Sequence, residues 1–479
     1  MDFLHSIIGW GLAGLYWLLT ATVTIRIIAL RRPVSVSLAW LLIVYILPLV
    51  GAALYLLLGE LNLGRKRAAR SGAMVEPYLS NLTKNYSDST QRLPGGNLSL
   101  AVNQLLTTQI GVGALNYQSM EVLSTPRQIF RRIIEDIRHA KHSIVLETYI
   151  WHPGGLVDDL TEELINASKR NVNIKLLIDH AGSRSFFRSK SHSSLIDAGI
   201  QIIPALPVRL FRALAQRLDL RLHRKLIVID DSVAYTGSMN IADPACFKQD
   251  AQVGQWIDMM LRLDGEAASG LAKVFAWDWE METGERSFPA MDTTEGSADN
   301  WLSIIPSGPG LGDLINQTVL AALYRANSSI TLSTPYFVPS ESVLEALCQA
   351  ANRGVKIKLL LPKKNDSLMV GWASRSYFDL LLDSGVEILK FDGGLLHTKA
   401  ILVDDKLALV GSVNFDIRSF QLNFELTVAL FTAEACAAIG ALLAEYEASS
   451  ERLEPDLWAQ RGRASKALER MMFFMSPLL

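Results

Sequence analysis

The first sixty residues stand apart from the rest of the chain in their pattern of apolar and polar positions. Residues 3 to 25 contain no Asp, Glu, Lys or Arg, and after a short basic connection residues 33 to 59 are again uncharged. Each run reaches the length of about 20 apolar residues that a membrane-spanning helix needs. A secretory signal peptide fits poorly, because the extreme N-terminus lacks positive charge. We therefore expect a transmembrane hairpin of two helices over residues 1 to 60, with a re-entrant or interfacial hairpin as the alternative.

From about residue 113 onward the pattern changes to short apolar runs that alternate with helical periodicity. The runs at 143–149 and 173–179 are typical of buried strands, whereas 129–138 and 156–169 carry the spacing of amphipathic helices. Strands that alternate with helices indicate largely parallel or mixed sheets covered by helices. The fold class that this pattern predicts is α/β.

The second half of the chain repeats the order of the first half. Ser329-Ile-Thr-Leu-Ser-Thr echoes Ser143-Ile-Val-Leu-Glu-Thr, and Val355-Lys-Ile-Lys-Leu-Leu echoes Val172-Asn-Ile-Lys-Leu-Leu. An internal duplication is the economical interpretation of these echoes. We therefore expect two duplicated α/β lobes that pack as a pseudo-twofold pair.

The repeat also sets the expected domain boundaries. Residues 282 to 300 are acidic and lack apolar periodicity, so they form a natural joint between the halves. We expect a linker with one short helix over 61–112, a first lobe over 113–290 and a second lobe over 291–479. The first half carries about twelve additional residues, rich in Arg and Leu, between residues 208 and 220.

Charge and cysteine content narrow the classes of function. The formal net charge is −2, whereas a nucleic-acid-binding protein normally shows a clear basic excess. The local basic cluster at residues 65 to 70 suits anionic lipid headgroups. This cluster also favours, over the one at residues 26 to 32, a topology that places everything after residue 60 in the cytoplasm. The three cysteines are odd in number and widely spaced, which is typical of reduced residues and agrees with a cytoplasmic body.

A six-residue pattern occurs twice with every internal gap preserved. The first copy is His223-x-Lys225-x4-Asp230-x6-Gly237-Ser238-x-Asn240. The second copy begins 174 residues later and is His397-x-Lys399-x4-Asp404-x6-Gly411-Ser412-x-Asn414. A single His-x-Lys carries almost no information, but this repetition is far beyond chance. We expect the two copies to meet in one active site.

Each copy has the pattern of a β-hairpin. The apolar β-branched run after His223 and Lys225 indicates a strand, in which these two side chains share one face. A two-residue turn at 231–232 would place Ser238 opposite Lys225 and Asn240 opposite His223. The same spacing about a turn at 405–406 gives the second set of opposed pairs, which are Ser412 with Lys399 and Asn414 with His397.

The doubled set of side chains suits a phosphodiester. Two ammonium groups with hydroxyl or amide donors can surround the non-bridging oxygens and stabilise the charge of a five-coordinate transition state. Imidazole has a pKa of about 6.5, so one histidine can attack phosphorus while the other, protonated, donates to the leaving oxygen. A covalent phosphohistidine splits the displacement into two steps. The predicted catalytic residues are His223, Lys225, Asp230, His397, Lys399 and Asp404, and the predicted phosphate-binding residues are Ser238, Asn240, Ser412 and Asn414.

Two acidic residues have the positions expected of histidine partners, since a catalytic imidazole needs a carboxylate or carbonyl on its other nitrogen. In the second half Glu425 opens a strand, and in the first half Asp258 has the corresponding place, with Asp250 as the weaker alternative. Asp230 and Asp404 close their strands, so we assign them to positioning the hairpins and not to proton transfer. Cys, His and carboxylate residues are not clustered at metal-ligand spacing, so we expect a site that works without a metal.

The remaining histidines and the C-terminal segment have structural interpretations. These histidines are His5, His139, His142, His152, His180 and His192. The aromatic residues that follow the two equivalent strands suit either the core or a pocket wall, and they are Tyr149, Trp151, Tyr336 and Phe337. Residues 466 to 479 predict a helix that docks on a lobe, with an interfacial membrane contact as the alternative.

The doubled His-x-Lys-x4-Asp signature resembles the defining motif of the phospholipase D superfamily. Within that superfamily the chain is similar to bacterial cardiolipin synthases of the two-signature membrane type. Beyond the signatures, the likeness rests on these segments: Tyr149-Ile-Trp151-x2-Gly154-Gly155, Asp179-x2-Gly182-Ser183, Phe247-Lys248, Gln255-Trp-x-Asp258 and Thr334-Pro-Tyr-Phe337.

This resemblance implies two phospholipase D-like lobes behind an N-terminal hairpin, in a bacterial inner-membrane enzyme that needs no cofactor. It implies that one phosphatidylglycerol forms a phosphatidyl-histidine and releases glycerol, and that a second phosphatidylglycerol then attacks to give cardiolipin. By analogy with the superfamily, His223 is the nucleophile and His397 is first the acid and then the base, although the sequence is symmetric on this point.

Other functions of the same signature stay open. A phospholipase D-type hydrolase, or a transphosphatidylase that uses other phospholipids and alcohols, would share every catalytic residue. An inactive scaffold is disfavoured because both signatures are intact. A nuclease is disfavoured by the N-terminal hairpin and by the nearly neutral charge.

Overall fold

Each repeated strand sequence becomes the centre of a mixed β-sheet, because its apolar side chains are covered on both faces. The computed structural model describes residues 2–30, 34–60, 63–64, 66–70, 93–208, 217, 219–287, 300–309, 311 and 313–475. In the first lobe Ser143–Thr148 pairs in parallel with Asn173–Asp179 and antiparallel with the signature strand Leu226–Ile229. The second lobe repeats this pairing, so both signatures lie beside the centre of a sheet. The predicted α/β class with two lobes is confirmed.

The strands follow the same spatial order in both lobes. Within the described residues, the first sheet runs in the order Met120–Leu123, Met260–Asp264, Val233–Gly237, Leu226–Ile229, Ser143–Thr148, Asn173–Asp179 and Gln201–Ala205. The second sheet runs in the order Leu115–Asn116, Trp301–Ser307, Glu425–Leu430, Leu407–Gly411, Ala400–Val403, Ser329–Ser333, Lys356–Pro362, Glu387–Phe391 and Ser450–Arg452. Two short parallel pairs are Trp256–Ile257 with Leu395–Leu396 and Phe337–Val338 with Phe415–Asp416. The first of these pairs joins the two lobes.

Helices cover the sheets of both lobes. Those of the first lobe are Pro126–His139, Leu156–Lys169, Lys190–Asp197 and Glu266–Thr283, with 3-10 turns at Phe186–Arg188 and Gln249–Ala251. Those of the second lobe are Asn97–Ile110, Leu314–Arg325, Glu341–Asn352, Leu368–Arg375, Phe378–Asp383, Ile417–Gln421, Ala433–Ala448, Pro455–Ala459 and Arg463–Met475. The last of these helices packs against Leu368–Arg375 and buries Met472. This agrees with the prediction that the C-terminal segment forms a helix that docks on a lobe.

The inner faces of the two sheets share one hydrophobic core. Leu226 and Leu261 of the first sheet belong to the same cluster of buried side chains as Val410 and Leu426 of the second. The helix Glu266–Thr283 is buried between the sheets along most of its length. Separate apolar cores lie behind each sheet. The lobes are therefore held together by a continuous apolar interface, and this interface fixes the relative positions of the two signatures.

The boundary between the lobes differs from the one that the sequence pattern suggested. Leu115–Asn116 is an edge strand of the second sheet, where Leu115 pairs with Leu302. The 14-residue helix Asn97–Ile110, which falls within the predicted linker of 61–112, buries its apolar face in the second-lobe core. The start predicted for the first lobe at residue 113 is therefore wrong. The apolar face of this helix packs against residues far along the chain, and periodicity within the segment cannot reveal that partner.

The N-terminal segment folds as a helical hairpin whose elements are Asp2–Ala29, Val34–Ile46, Pro48–Leu54 and the π-helical Tyr55–Gly59. Its two arms pack through a small core that contains Val23, Val44 and Tyr55. Arg26 and Glu60 form an ion pair between the arms. In the part of the chain that the structure describes, no helix combines the length and the apolarity needed to span a bilayer.

The basic cluster after the hairpin contacts the body of the protein. Arg67 forms a two-pronged ion pair with Glu282, with the shorter contact at 2.6 Å. Arg70 Nη1 donates to the carbonyl oxygen of Met281 at 3.1 Å. Both contacts lie at the C-terminal end of the helix Glu266–Thr283, where unsatisfied carbonyl groups favour cations. These two arginines, which the sequence analysis assigned to lipid headgroups, are engaged within the protein.

Some segments of the sequence analysis lie outside the described residues. They are residues 31–33 and 65 of the two basic clusters, residues 71–92 of the linker, residues 209–216 of the additional stretch, residues 288–299 of the joint and the terminal residues 476–479.

Candidate active site

The two signature hairpins have three-residue loops, so the predicted register is wrong by one residue. Ile229 pairs with Val233, and the second hairpin has the same spacing. Asp230 and Asp231 take positive φ angles of 51° and 53° in this loop, a conformation that Asp tolerates better than most residues. The pairing continues so that Lys225 lies opposite Gly237, and not opposite Ser238 as the two-residue turn would require.

The signature aspartates tie each hairpin to the start of the central strand. Asp230 accepts hydrogen bonds from the backbone N–H groups of Lys141, His142 and Ser143 at 2.8, 2.7 and 2.8 Å. Asp404 does the same for residues 327 to 329 in the second lobe. Burial opposes the ionisation of Asp404, but these N–H groups outweigh it and lower its pKa. Both aspartates lie at the hairpin tips, which is the positioning role expected of them.

Signature glycines let the next strand cross closely. A Cβ atom at Gly237 would collide with the carbonyl oxygen of Met259, and one at Gly411 would collide with that of Leu426. The absence of a side chain brings Ser238 N within 2.9 Å of the Met259 carbonyl oxygen. The signature thereby delivers its serine to the carboxylate strand that follows.

Each catalytic histidine pairs with a carboxylate from the opposite lobe. His223 Nδ1 lies 2.8 Å from Glu425 Oε2, and His397 Nδ1 lies 2.6 Å from Asp258 Oδ1. Both predicted carboxylates thus pair with signature histidines, and the structure adds that each one serves the histidine of the other half. Asp250, the weaker alternative, is exposed in a 3-10 turn.

Short parallel bridges between the lobes produce this exchange. His223 N donates to the Phe424 carbonyl oxygen, and His397 N donates to the Ile257 carbonyl oxygen, both at 2.8 Å. Each histidine backbone is therefore bonded to the residue immediately before the other half's carboxylate. The carboxylates meet the histidines because the lobes pack face to face, which sequence spacing within one half does not encode.

The two signature serines serve the carboxylates. Ser238 Oγ donates to Asp258 Oδ1 at 2.6 Å and accepts from Met259 N at 3.0 Å. Ser412 Oγ donates to Glu425 Oε2 at 2.5 Å and likewise accepts from a backbone N–H. A hydroxyl has one proton to donate, and here that proton is committed to a carboxylate. The prediction that these serines bind phosphate is therefore corrected: they orient the carboxylates that orient the histidines.

The lysines and asparagines retain free donor capacity. Lys225 Nζ and Lys399 Nζ each donate to the carbonyl oxygen of their own histidine at 2.6 Å, which uses one of three ammonium protons. Asn240 Oδ1 accepts from Ile150 N at 3.3 Å, which leaves the two amide protons of Asn240 as the donors for a ligand. Asn414 is buried at the equivalent position, and its Oδ1 has no partner among the described residues. Phosphate binding by Asn240 and Asn414, and stabilisation of phosphate charge by Lys225 and Lys399, stay predictions with which these free donors agree.

Burial controls the protonation of the cluster. It lowers the pKa of both His223 and His397 to about 4, an effect that the carboxylate partners only partly offset. It also lowers the pKa of Lys225 to about 8 and that of Lys399 well below its usual range. In the free protein both imidazoles are neutral, each directs Nδ1–H to a carboxylate, and Nε2 carries the lone pair. A neutral Nε2 is the form needed for attack on phosphorus.

Several functional neighbours lie at positions that the signature leaves unspecified. Arg224, between His223 and Lys225, is buried and donates to the Glu425 carbonyl oxygen at 3.0 Å while it pairs with Asp278. Asp179 accepts from the backbone of Leu222 at 3.0 Å, and burial raises its pKa to about 6. Asp179 stands in one of the quoted family segments, whereas Arg224 occupies a position that the signature leaves unspecified and gave no signal.

Aromatic rings flank both imidazoles. The ring centroids of Tyr149 and His223 are 4.9 Å apart, and those of Trp256 and His397 are 4.4 Å apart. Of the aromatic residues predicted for core or pocket wall, Tyr149 thus lies at the site, whereas Trp151 is buried behind the sheet and Phe337 in the second-lobe core. Of the remaining histidines, His139 has a structural contact at the end of its helix, where its Nδ1 lies 2.8 Å from Glu135 O. No group of three metal-ligating side chains is present among the described residues.

Comparison with known proteins identifies the family. A model of the cardiolipin synthase phospholipase D-like domain matches residues 133–279 and 319–446, and a phospholipase D-nuclease N-terminal model matches residues 17–60. Cardiolipin synthase A of Yersinia pseudotuberculosis serotype O:3 (strain YPIII) is 44% identical over 487 residues and covers 100% of both chains. Cardiolipin synthase A of Cronobacter sakazakii (strain ATCC BAA-894) is 43% identical over 488 residues, again with 100% of both chains covered.

Solved structures show the same fold. Phosphatidylserine synthase of Haemophilus influenzae Rd KW20 superposes with a TM-score of 0.58 at 14% identity, over 79% of this chain and 98% of that chain. Polyphosphate kinase of Porphyromonas gingivalis superposes with a TM-score of 0.50 at 12% identity, over 75% and 54% of the two chains. At such identities the likeness concerns the fold alone. Together with the full-length relatives, it confirms the resemblance seen in the signatures, and the chain belongs to the cardiolipin synthase family of phospholipase D-like phosphatidyltransferases.

Proposed function

We propose that this enzyme transfers a phosphatidyl group from one phosphatidylglycerol to another through a phosphohistidine, giving cardiolipin and glycerol. One observation carries the proposal: the two signature histidines, from different lobes, each bond a carboxylate of the opposite lobe. Two lysines and two asparagines of the same signatures supply donors for the phosphate oxygens. Neither lobe alone contains a complete histidine–carboxylate pair, so the whole cluster acts as one site.

In the first step, His223 Nε2 attacks phosphorus while its Nδ1–H stays bonded to Glu425. The bond from phosphorus to the glycerol oxygen breaks, and that oxygen takes a proton from His397. An anionic phosphodiester in the site favours the protonated form of His397, which Asp258 also stabilises. Lys225 and Lys399 balance the charge on the non-bridging oxygens as the five-coordinate transition state forms.

In the second step, His397 acts as the base. It removes the proton from the terminal hydroxyl of a second phosphatidylglycerol, and the oxygen attacks phosphorus. The bond between phosphorus and His223 Nε2 breaks, and its electron pair returns to the imidazole. The choice of His223 as the nucleophile rests on the superfamily resemblance, because the carboxylate geometry is nearly the same at both histidines.

We also propose that the N-terminal hairpin holds the enzyme at the bacterial inner membrane, with the body on the cytoplasmic side. Large apolar side chains on the hairpin are exposed, among them Trp10, Ile25 and Val34 at 79%, 68% and 73%. Covering such a surface with lipid is favourable, and the hairpin coincides with the matched N-terminal family segment. Removal of residues 1 to 60 should release the protein from membranes; unchanged retention would contradict this proposal.

The products formed from phosphatidylglycerol alone test the proposed reaction. Purified full-length enzyme in vesicles of this lipid should form cardiolipin and glycerol in equal amounts, both with and without a metal chelator. Phosphatidic acid as the main product would instead assign the enzyme as a phospholipase D-type hydrolase. A requirement for a divalent cation would contradict a mechanism built on histidine and lysine.

A further inference from the structure

The flank of the site beside His397 carries a cation that the reaction steps leave unused. Trp256 packs against His397, and Lys248 Nζ lies 5.3 Å from the centroid of the Trp256 ring. Phe247 packs edge-on against the same indole at 5.2 Å between ring centroids. The indole is therefore flanked by the imidazole and by an ammonium group.

A buried carboxylate of the second lobe holds Lys248 in this place. Lys248 Nζ donates to Asp366 Oδ2 at 2.9 Å, and Tyr336 OH donates to Asp366 Oδ1 at 2.7 Å. The Asp366 side chain is 3% exposed, whereas that of Lys248 is 45% exposed. Lys248 itself has a left-handed φ of 49°, a conformation that non-glycine residues adopt at a cost. The ammonium is thus fixed across the lobe interface and still open to a ligand.

The His397 side and the His223 side of the site differ in the cations that lie beside the flanking aromatic ring. From His223 to Asp258 the chain runs 35 positions, whereas from His397 to Glu425 it runs 28, so the segment that carries Lys248 has no position-for-position counterpart in the second half. Beside Tyr149, on the His223 side, lie the non-signature cations Arg221 and Arg418, and Arg418 is paired with Asp219 at 3.0 Å. Lys248 is therefore the cation associated with the His397 side.

We propose that Lys248 binds the phosphate of the acceptor lipid, an inference that rests on the proposed function. The leaving glycerol and the incoming hydroxyl use the same side of phosphorus, next to His397, because the second step is the reverse of the first with a different alcohol. The acceptor differs from glycerol and from water in carrying its own phosphodiester, roughly 6 Å from the attacking hydroxyl by ordinary bond lengths. Lys248 lies one indole ring beyond the base: the Trp256 ring centroid is 4.4 Å from that of His397 and 5.3 Å from Lys248 Nζ.

This contact would select the acceptor without touching the reacting atoms. Water and free glycerol offer no phosphate to Lys248, whereas phosphatidylglycerol does. An ammonium–phosphate hydrogen bond is charge-assisted and therefore stronger than a neutral one. Exchange of the Asp366 carboxylate for a lipid phosphate would keep the ammonium paired before and after binding.

The test compares two acceptors with the same full-length enzyme. Transfer to phosphatidylglycerol is measured as cardiolipin, and transfer to labelled glycerol is measured as labelled phosphatidylglycerol. In Lys248→Gln the ratio of the first rate to the second should fall about tenfold, the effect of one charged hydrogen bond. The loss should appear as a raised KM for the acceptor lipid, and Lys248→Arg should restore the ratio.

Lys175→Gln is the matched control, since Lys175 also pairs with a carboxylate, Glu285 at 2.8 Å, and lies 5.0 Å from a tryptophan ring centroid, that of Trp279. It should leave the ratio unchanged. A parallel loss of both rates in Lys248→Gln would overturn the proposal, because Lys248 would then support the chemistry or the fold in general; an unchanged ratio would overturn it as well. If the unmodified enzyme transfers to neither acceptor, the proposed function fails first.

Discussion

The two signature hairpins present the same catalytic atoms in different surroundings. Between histidine and lysine the first hairpin has Arg224, which is buried and paired with Asp278, and the second has Thr398, whose hydroxyl lies 3.1 Å from Tyr446 OH. The first imidazole is flanked by Tyr149 and the second by Trp256. Duplication thus provides two equivalent histidines, whereas their neighbours provide the means to give them different roles. Four experiments distinguish what the hairpins share from what they do not.

Replacement of either histidine has the largest expected effect. His223→Ala and His397→Ala should each lower cardiolipin formation by about 10⁴-fold or more, because nucleophile and proton carrier act as one unit. A phosphodiester with an activated leaving group needs no acid, so with this substrate His397→Ala should still form the covalent adduct and His223→Ala should not. Mass spectrometry after a denaturing quench at alkaline pH detects the adduct, because the phosphorus–nitrogen bond of a phosphohistidine hydrolyses in acid. An adduct on His223→Ala alone would reverse the two roles.

Replacement of the two carboxylates that pair across the lobes has the second-largest expected effect on turnover. Glu425→Gln and Asp258→Asn should each lower turnover by roughly 10²- to 10⁴-fold, since an amide cannot stabilise the same imidazole tautomer and charge. Because the pairs cross the lobes, Glu425→Gln should impair adduct formation from the activated substrate, as replacement of His223 does. Asp258→Asn should impair mainly reactions with poor leaving groups. The opposite pattern would indicate pairing within each lobe.

The residues between histidine and lysine should differ in how much they contribute to the stability of the fold. Arg224→Met leaves Asp278 buried without its cationic partner, which should lower the free energy of unfolding by about 3–5 kcal/mol. Thr398→Val removes two neutral hydrogen bonds, one to the Ile257 carbonyl oxygen and one to Tyr446 OH, and should cost about 2 kcal/mol. Chemical denaturation measures both, and Arg224→Met/Asp278→Leu should recover part of the first loss. Equal losses of unfolding free energy in the two single variants would show that Arg224 and Thr398 contribute equally to stability despite their different surroundings.

Acid sensitivity should be the same for both histidines. Each has a pKa of about 4 in the folded protein, whereas the unfolded chain has the ordinary value of about 6.5. The unfolded state therefore binds more protons between these values, and the free energy of unfolding falls as pH decreases through this window. Between pH 7.5 and pH 5, His223→Gln and His397→Gln should therefore each lose roughly 2 kcal/mol less of the free energy of unfolding than the unmodified protein does. Denaturation at pH 7.5 and pH 5 measures it; flattening by only one variant would show that the two environments differ.

The parts of the fold that depend on local patterns of apolar residues could be predicted from the sequence. The central strands at residues 143 and 329 were recognisable because buried strands are short apolar runs between helices. The positions of Asp230 and Asp404 at hairpin tips followed from where each apolar run ends. The turn length did not, because two consecutive aspartates in the left-handed region were needed to accommodate a third loop residue.

The sequence by itself determined which residues form the site. The doubled signature identified both histidines and both lysines, and the strand starts that follow each copy offered both candidate carboxylates, since the chemistry needs these residue types. It did not determine their partners. Only the packing of the two lobes decided that Glu425 bonds His223 and Asp258 bonds His397, and that Ser238 and Ser412 serve carboxylates. Spacing along a strand determines which face of the sheet a side chain occupies. The group that lies opposite that face belongs to the other lobe, and its position is set by burial of the apolar core that the two lobes share.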